Sequence, residues 1–420
     1  MNRWIVHVRQ ALRGIWFPAT LFTVLGIALV MAAHLFGHLV PPELSRALGK
    51  DSTASILQIL ATSMLAVTTF SLTTMVSAYA TATQIGTPRS IQLLAADRTS
   101  HHALSTFIGA FAFAIVGIVA QSAGVYGDGG QAFLLLGTVA VILAVLITLL
   151  RWISFLTRFG RMSDIIDRVE NAAAKAMGDY AHNPLMGACP WASPPSTAHP
   201  VTGQDSGFVL NVDVAALQRI AEQQQCMIWV DRRGGSRIFA GQPLGFTSIA
   251  LPDSACEAIT HAFTIAAHRT FDQDPRLGLI ALSEISSRAL SPAVNDPGTA
   301  IEVLSATHRV LQPALRTDLD ASRTAPRVYL QALDPQDLVQ DAFRPVSRDG
   351  AATVEVAMRI QRELGALLAA ADAQWAPALR AQAIESFHRA RHALHAPEDI
   401  EQVQRLHTEA LSQPGNLSGS

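Results

Sequence analysis

The richest run of chemically capable side chains lies between Arg269 and Asp296. Arg269, Asp272, Asp274, Glu284, Arg288, Asn295 and Asp296 bring carboxylates, guanidinium groups and an amide into one short stretch. Glu284 and Arg288 are four residues apart, so on a helix they can pair. Asn295 and Asp296 fall in the chain break SPAVNDP. Such a set can hold a ligand or a cation, or it can tie three helices together. The second use is supported by Asp274-Pro275 and Asp296-Pro297, because an Asp N-cap followed by Pro in the first turn is a strong helix start. A second group is His388, His392 and His395, spaced four and three residues apart, with Glu385 one turn earlier. On one helical face these are weak candidates for a transition metal, or simply a solvated face. No second ligating segment accompanies them, so neither a metal nor a cofactor is expected. A third group, Arg232, Arg233 and Arg237 around Gly234-Gly235, suits a phosphate or a lipid headgroup, or an exposed hairpin tip. Walker and Rossmann phosphate loops, the G-x-S-x-G elbow and H-E-x-x-H are all missing from the sequence, which favours a non-enzymatic role.

The elements that must position these residues follow from how charge is distributed. Only 15% of the 420 residues are charged and half are hydrophobic, where a soluble domain carries about a quarter charged. The deficit is concentrated between Gly14 and Leu150, where charge is confined to Glu43, Arg46, Lys50, Asp51, Arg89, Asp97, Arg98 and Asp128. The uncharged runs 14–42, 52–88, 99–127 and 129–150 each exceed the roughly 18 residues that mark a membrane-spanning helix. They lack the two-residue alternation of a membrane β-barrel. Four spans are expected, near Ile15–Leu39, Ile56–Ala80, Ser105–Val125 and Phe133–Phe155. Arg3, Arg9 and Arg13 precede an apolar run too long for a signal peptide, which reads as an uncleaved first span.

Lys and Arg set the orientation. Arg3, Arg9, Arg13, Arg89, Arg98, Arg151, Arg158, Arg161 and Arg168 fall on one side, against Arg46 and Lys50 on the other. The positive-inside rule then places both termini in the cytoplasm. His34 and His38 near the outer end of the first span read as interfacial, and Trp4, Trp16 and Trp152 as interfacial anchors. Pro88 closes the second span, and Arg89 snorkels to headgroups or meets the soluble part.

The second span differs from the others in carrying many hydroxyls. Thr62, Thr69, Thr73 and Ser77 follow spacings of seven, four and four, which keeps them on one face. They are candidates either for a tight packing seam or for the lining of a hydrophilic path.

Beyond Arg151 the composition turns ordinary. Met162 to about Tyr180 reads as an amphipathic helix. The stretch 182–207 reads as a Pro/Ser-rich loop. A small β-rich module is expected over 207–250, including a hairpin across DRRGGS. From Pro252 helices dominate, one running from Asp253 or Ser254 to about His268, others from Pro275 and Pro297 and further ones to about Leu394, interrupted by the strand-like RVYLQAL. Cys189, Cys226 and Cys256 form no metal or disulfide framework. A net charge of −2 gives no case for nucleic acid.

The segment RTFDQDPRLGLIALSEISSRALSPAVNDPGTA, Arg269 to Ala300, resembles the signature of a bacterial membrane-protein family, domain of unknown function 2254. FSLTTMVSAYATATQIGTPRSIQLLAADR, Phe70 to Arg98, and the pattern from Gly207 to the Gly241–Leu244 turn match it too, and the likeness extends over nearly the whole chain. The resemblance implies an inner-membrane protein and supplies no biochemical activity.

The expected fold is an α-helical membrane protein with four transmembrane helices followed by a cytosolic α+β part. Its divisions are a transmembrane domain at 1–160, an amphipathic helix and linker at 161–206, the β-rich module at 207–250, a mostly helical domain at 251–411 and a disordered tail at 412–420. The expected function is an oligomeric, channel-like conduit with a cytosolic sensing or gating domain, its partners being the lipid bilayer and further copies of itself. The alternatives are a membrane-anchored ligand sensor or scaffold without conduction, and an enzyme using the Asp272–Asp296 cluster.

Overall fold

The computed structural model describes residues 50–95, 98–124, 128–316 and 323–412, with scattered positions between 20 and 31. Apart from those positions the expected first span lies outside the described residues, as do His34, His38, Trp4, Trp16 and the tail beyond Ser412. The chain divides into two compact units, Met1–Asp164 and Ile165–Ser420.

In the first unit, long apolar sequence forms helices α1 (Lys50–Ile85), α2 (Pro88–Ala95), α3 (Arg98–Ser122) and α4 (Asp128–Leu156). Among the described residues three stretches are long and apolar enough to cross a membrane, Thr53–Thr83, Pro88–Ser122 and Leu134–Leu156. α3 is the most enclosed, with Phe107, Ala110, Phe113 and Ala114 buried against α1 and α4. A Cβ on Gly117 would meet Leu57 at 3.0 Å, so α1 and α3 approach closely there. The outward faces are greasy, with Ile59, Phe70, Val76, Leu136 and Leu150 all more than 60% exposed, as expected where lipid replaces water. Trp152 is not an exposed anchor: it is 2% exposed and stacked on Phe155 with ring centres 5.3 Å apart.

The turn between α1 and α2 is built from IGTPRS. Ser90 Oγ accepts from the Thr87 N–H at 2.9 Å, and the Ser90 N–H donates to Thr87 Oγ1 at 3.4 Å. Pro88 takes the first helical position, where its missing N–H is harmless.

The second unit opens with α5 (Met162–His182). Ile165, Ile166, Val169, Ala173, Ala176, Met177 and Tyr180 recur at three- and four-residue intervals and are buried, as an amphipathic helix requires. The strands are β1 (Ala188–Pro190), β2 (His199–Thr202), β3 (Gly207–Val212), β4 (Ile228–Val230), β5 (Arg237–Ile238), β6 (Pro243–Thr247), β7 (Phe263–Ala266) and β8 (Ala325–Leu330). A five-stranded sheet runs β1-β8-β4-β6-β2, with β8 parallel to β1 and β4 and the other pairings antiparallel. An antiparallel three-stranded sheet runs β5-β3-β7. Helices α6 (Val214–Gln223) and α7 (Asp253–His261) complete the β part. One core, including Val209, Leu217, Ile228, Ile238, Leu244 and Val328, joins both sheets.

Three local expectations change. The stretch 182–207 contributes β1 and β2 rather than loop alone. The helix from Asp253 ends at His261, Pro252 takes the cap position without a side-chain bond, and β7 follows. DRRGGS closes no hairpin: β4 pairs with β6 and β8 in one sheet, and β5 pairs with β3 in the other.

The helical part comprises α8 (Pro275–Ala289), α9 (Pro297–Leu311), α10 (Pro335–Asp349), α11 (Val354–Ala370), α12 (Ala376–Ala393) and α13 (Pro397–Ser412). Asp274 caps α8 by accepting from the Leu277 N–H, and Asp296 caps α9 by accepting from the Thr299 N–H. Asp334-Pro335 repeats the device at α10, with Asp334 accepting from the Gln336 N–H.

Candidate functional site

The α8 helix separates the sequence candidates into two groups. Arg269, Asp272 and Asp274 lie at its N-terminal end, whereas Arg288, Asn295 and Asp296 lie at or beyond its C-terminal end. Fifteen residues at 1.5 Å each place the ends about 22 Å apart. Glu284 sits in its third turn. The structure therefore does not gather the seven residues into one site. Asn295 and Asp296 are exposed. Asn295 has φ 48°, the left-handed region that Asn tolerates well. Hydrogen bonds from Thr299 hold the Asp296 carboxyl below the usual aspartate range.

The N-terminal end of α8 opens onto a cleft of about 480 Å³. Arg269 donates to Asp274 through Nε at 2.6 Å and through Nη2 at 2.9 Å, and Asp274 is 2% exposed. In the first turn of the helix, Arg276 reaches two carboxylates of α10, Asp337 at 2.5 Å and Asp341 at 2.6 Å. Burial works against the Arg276 charge, but its hydrogen bond with Asp341 and the charges of Asp341, Asp337 and Asp274 outweigh that and raise its pKa. Burial lifts the Asp341 carboxyl while Arg276 pulls it down. With two carboxylates facing one guanidinium, the cluster is held by Arg276 as a charged bridge between α8 and α10.

The cleft's other wall is the DRRGGS loop. Gly234 and Gly235 lie against Gln273 and Asp274, where a Cβ on either glycine would collide. Gly235 also has φ 88°, so two independent requirements select glycine there. This contact fixes Arg233. Its Nη1 donates to the Gln331 carbonyl at 2.8 Å, and its guanidinium lies 5.4 Å from the centre of the Tyr180 ring. Burial lowers the Arg233 pKa, with Tyr180 and Asp274 opposing that fall. Tyr180 accepts the Leu333 N–H at 3.2 Å, and burial pushes its phenol up. Arg237 is exposed and lies over Phe208 and Phe239, at 5.8 and 5.0 Å. Arg232 is turned to its neighbour Asp231 at 3.1 Å. Asp272 lines a smaller cleft of about 320 Å³ on the other side of Arg233.

Of these residues, sequence reasoning reached Arg233, Arg237, Arg269 and Asp274 but not Arg276, Asp337, Asp341 or Tyr180. Asp337 and Asp341 carried a signal, since two acids four residues apart share a helical face and call for a cation.

The histidines do not form a set. α12 ends at Ala393 with Leu394 extended, so His395 has left the helical register of His388 and His392. Among the described residues, no group of three or more His, Cys, Asp and Glu is arranged to hold a metal ion.

The hydroxyl face of α1 is the other candidate. Thr62, Thr69, Thr73 and Ser77 are all exposed, so no packing seam forms over them among the described residues. Thr62 donates to the Gln58 carbonyl, Thr69 to Leu65 and Thr73 to Thr69. Of the loop pair, Pro88 starts α2 and Arg89 follows in its first turn.

A unit with long apolar helices and an α+β unit joined in one chain agree with a family comparison. The pattern of the predicted membrane proteins of domain of unknown function 2254 matches residues 13–366. The chain belongs to this family. The match starts ahead of α1 and ends within α11, so it includes the arginine-lined cleft of this family member. An uncharacterized protein of Mycobacterium bovis and another of Mycobacterium tuberculosis are each 34% identical over 148 residues, 33% of this chain. The matched segment covers 28% of the length of these relatives. No solved structure matches.

Proposed function

We propose that this protein is an oligomeric, channel-like conduit of the bacterial inner membrane, with both termini and the Ile165–Ser420 unit in the cytoplasm, where that unit senses or gates. The observation that carries the reading is the α1 face bearing Thr62, Thr69, Thr73 and Ser77, exposed in the single chain although a membrane-spanning helix gains nothing by turning hydroxyls to lipid. Neighbouring copies around an axis would place those hydroxyls against each other or against water. The arginine excess on one side of the spans supports the orientation. A non-enzymatic role accords with the cleft, where Asp274, Asp337 and Asp341 are engaged by Arg269 and Arg276 rather than poised for proton transfer.

The experiment is ion flux from liposomes containing the purified chain. The double variant Thr69→Val, Thr73→Val should change conductance or selectivity while leaving thermal unfolding and assembly unaltered. Absence of flux under varied voltage, pH and tension would sink the conduit. The second reading, a membrane-anchored sensor or scaffold without conduction, draws on a specific fact: Thr62, Thr69 and Thr73 already donate to their own helix and need neither water nor ions. Under that reading the double variant lowers assembly, with no current from either protein.

A further inference from the structure

Four arginines face the cleft beneath the Arg233–Ser236 turn, and they are not equivalent. Arg269 is neutralised by Asp274, and Arg276 by Asp337 and Asp341. Arg233 and Arg237 make no ion pair among the described residues. Arg233 stands between the 480 Å³ cleft and the 320 Å³ cleft and lines both. Its Nη1 is used by the Gln331 carbonyl, but its Nε is shielded from solvent and has no hydrogen-bond partner. A shielded guanidinium donor without an acceptor is costly unless something else supplies one. Arg237 is held over two aromatic rings at the cleft's mouth, which restricts a side chain that would otherwise range freely.

We propose that this cleft binds a small phosphate monoester, with Arg233 and Arg237 gripping the phosphate. The rest of the cleft narrows the class. Asp334 and Asp337 stand in the same lining, so a polyanion is repelled, while a body bearing hydroxyl or amino donors is accommodated. Arginine forks suit phosphate oxygens, and 480 Å³ falls within the range of about 300–1,000 Å³ for small-ligand pockets. Sugar phosphates and nucleoside monophosphates meet both conditions. A phospholipid headgroup shares the phosphate chemistry and is the competing source. The inference is independent of whether the membrane unit conducts, since it is read by binding alone.

The test is calorimetric titration of the full chain in phosphatidylcholine nanodiscs with ribose 5-phosphate, adenosine monophosphate and pyrophosphate. Binding of at least one monoester is expected, with pyrophosphate weaker. Arg233→Gln and Arg237→Gln should each weaken binding by roughly tenfold or more, the loss of one charge-assisted contact. Arg219→Gln, on the exposed face of α6, should leave it unchanged. Should Arg233→Gln fail to fold, Arg237→Gln decides alone, because Arg237 is exposed. A parallel series in nanodiscs containing phosphatidylglycerol separates the sources. If the lipid displaces the monoester from the parent chain, the headgroup is the occupant. If it has no effect, the ligand is soluble. No binding of either monoester and no lipid effect that depends on Arg233 or Arg237 would overturn the proposal, as would monoester binding that survives both substitutions.

Discussion

Asp274 and Asp296 occupy the same position in their helices and do the same local work, each accepting a backbone N–H three residues on and each followed by Pro. Their surroundings make them energetically different. Asp274 is buried and is the only carboxylate hydrogen-bonded to Arg269 among the described residues, so removing it leaves a guanidinium that is 18% exposed without its paired carboxylate. Asp274→Ala is expected to cost about 3 kcal/mol or more. Asp296→Ala at an exposed cap should cost about 1 kcal/mol. Urea midpoints followed by tryptophan fluorescence would check both, and equal losses would mean that the ion pair adds nothing to the cap. Asp296 also predicts a pH effect. Its folded pKa lies below the ordinary value of 3.8, so the carboxylate's stabilisation is complete above that value and disappears as pH falls through the folded pKa. Asn caps a helix about as well as Asp. Parent and Asp296→Asn should therefore differ in stability near neutral pH and converge in strong acid, and a constant gap would show that ionisation is irrelevant at this cap.

Packing between elements turns on a pair of glycines in the Ile165–Ser420 unit. A Cβ on Gly278 of α8 would run into the Cα and Cβ of Ala173 in α5, where backbone cannot yield. Gly178 of α5 has nothing within 4 Å of a built Cβ. Gly278→Ala should push the two helices apart and cost about 1–3 kcal/mol, while Gly178→Ala should stabilise by about 0.5–1 kcal/mol through helix propensity. Opposite shifts in unfolding midpoint are the expected result; shifts of the same sign would contradict this geometry. Elements defined by local rules were the ones legible in the sequence. The uncharged runs marked α1, α3 and α4, and Asp-Pro marked α8 and α9, with the same signal at Asp334-Pro335 available for α10. What was not legible depended on partners distant in sequence. Gly234-Gly235 resembles a hairpin turn, but β4 finds its neighbours in β6 and β8, so the loop crosses between sheets and its glycines serve the contact with Gln273 and Asp274. The candidate site was half legible for the same reason. Arg233 and Asp274 stood out as residues, whereas their meeting in one cleft, and the bridge from Arg276 to α10, required the fold.

At the scale of the whole molecule the chain has two compact units with different outward faces. The first turns large apolar side chains outward along α1 and α4, and the second closes its own core around β3, β4, β6 and β8 with buried helices beyond. A unit that completes its own core needs no neighbour to fold. A fragment from Met162 to Ser420, which keeps the first turn of α5, should therefore be soluble and unfold cooperatively without detergent. Its state of assembly then bears on the membrane reading. If copies associate through the hydroxyl face of α1, the full chain in nanodiscs should be oligomeric and the fragment monomeric by light scattering, because the fragment lacks every residue of that face. An oligomeric fragment would move the association surface into the soluble unit and remove the main reason for placing Thr62, Thr69, Thr73 and Ser77 around an axis. A monomeric full chain would do more damage, since among the described residues one copy offers α1 no side-chain partner for these hydroxyls. That arrangement is tolerable only because Thr62, Thr69 and Thr73 bond back to their own helix, and it would leave the sensor without conduction as the better description.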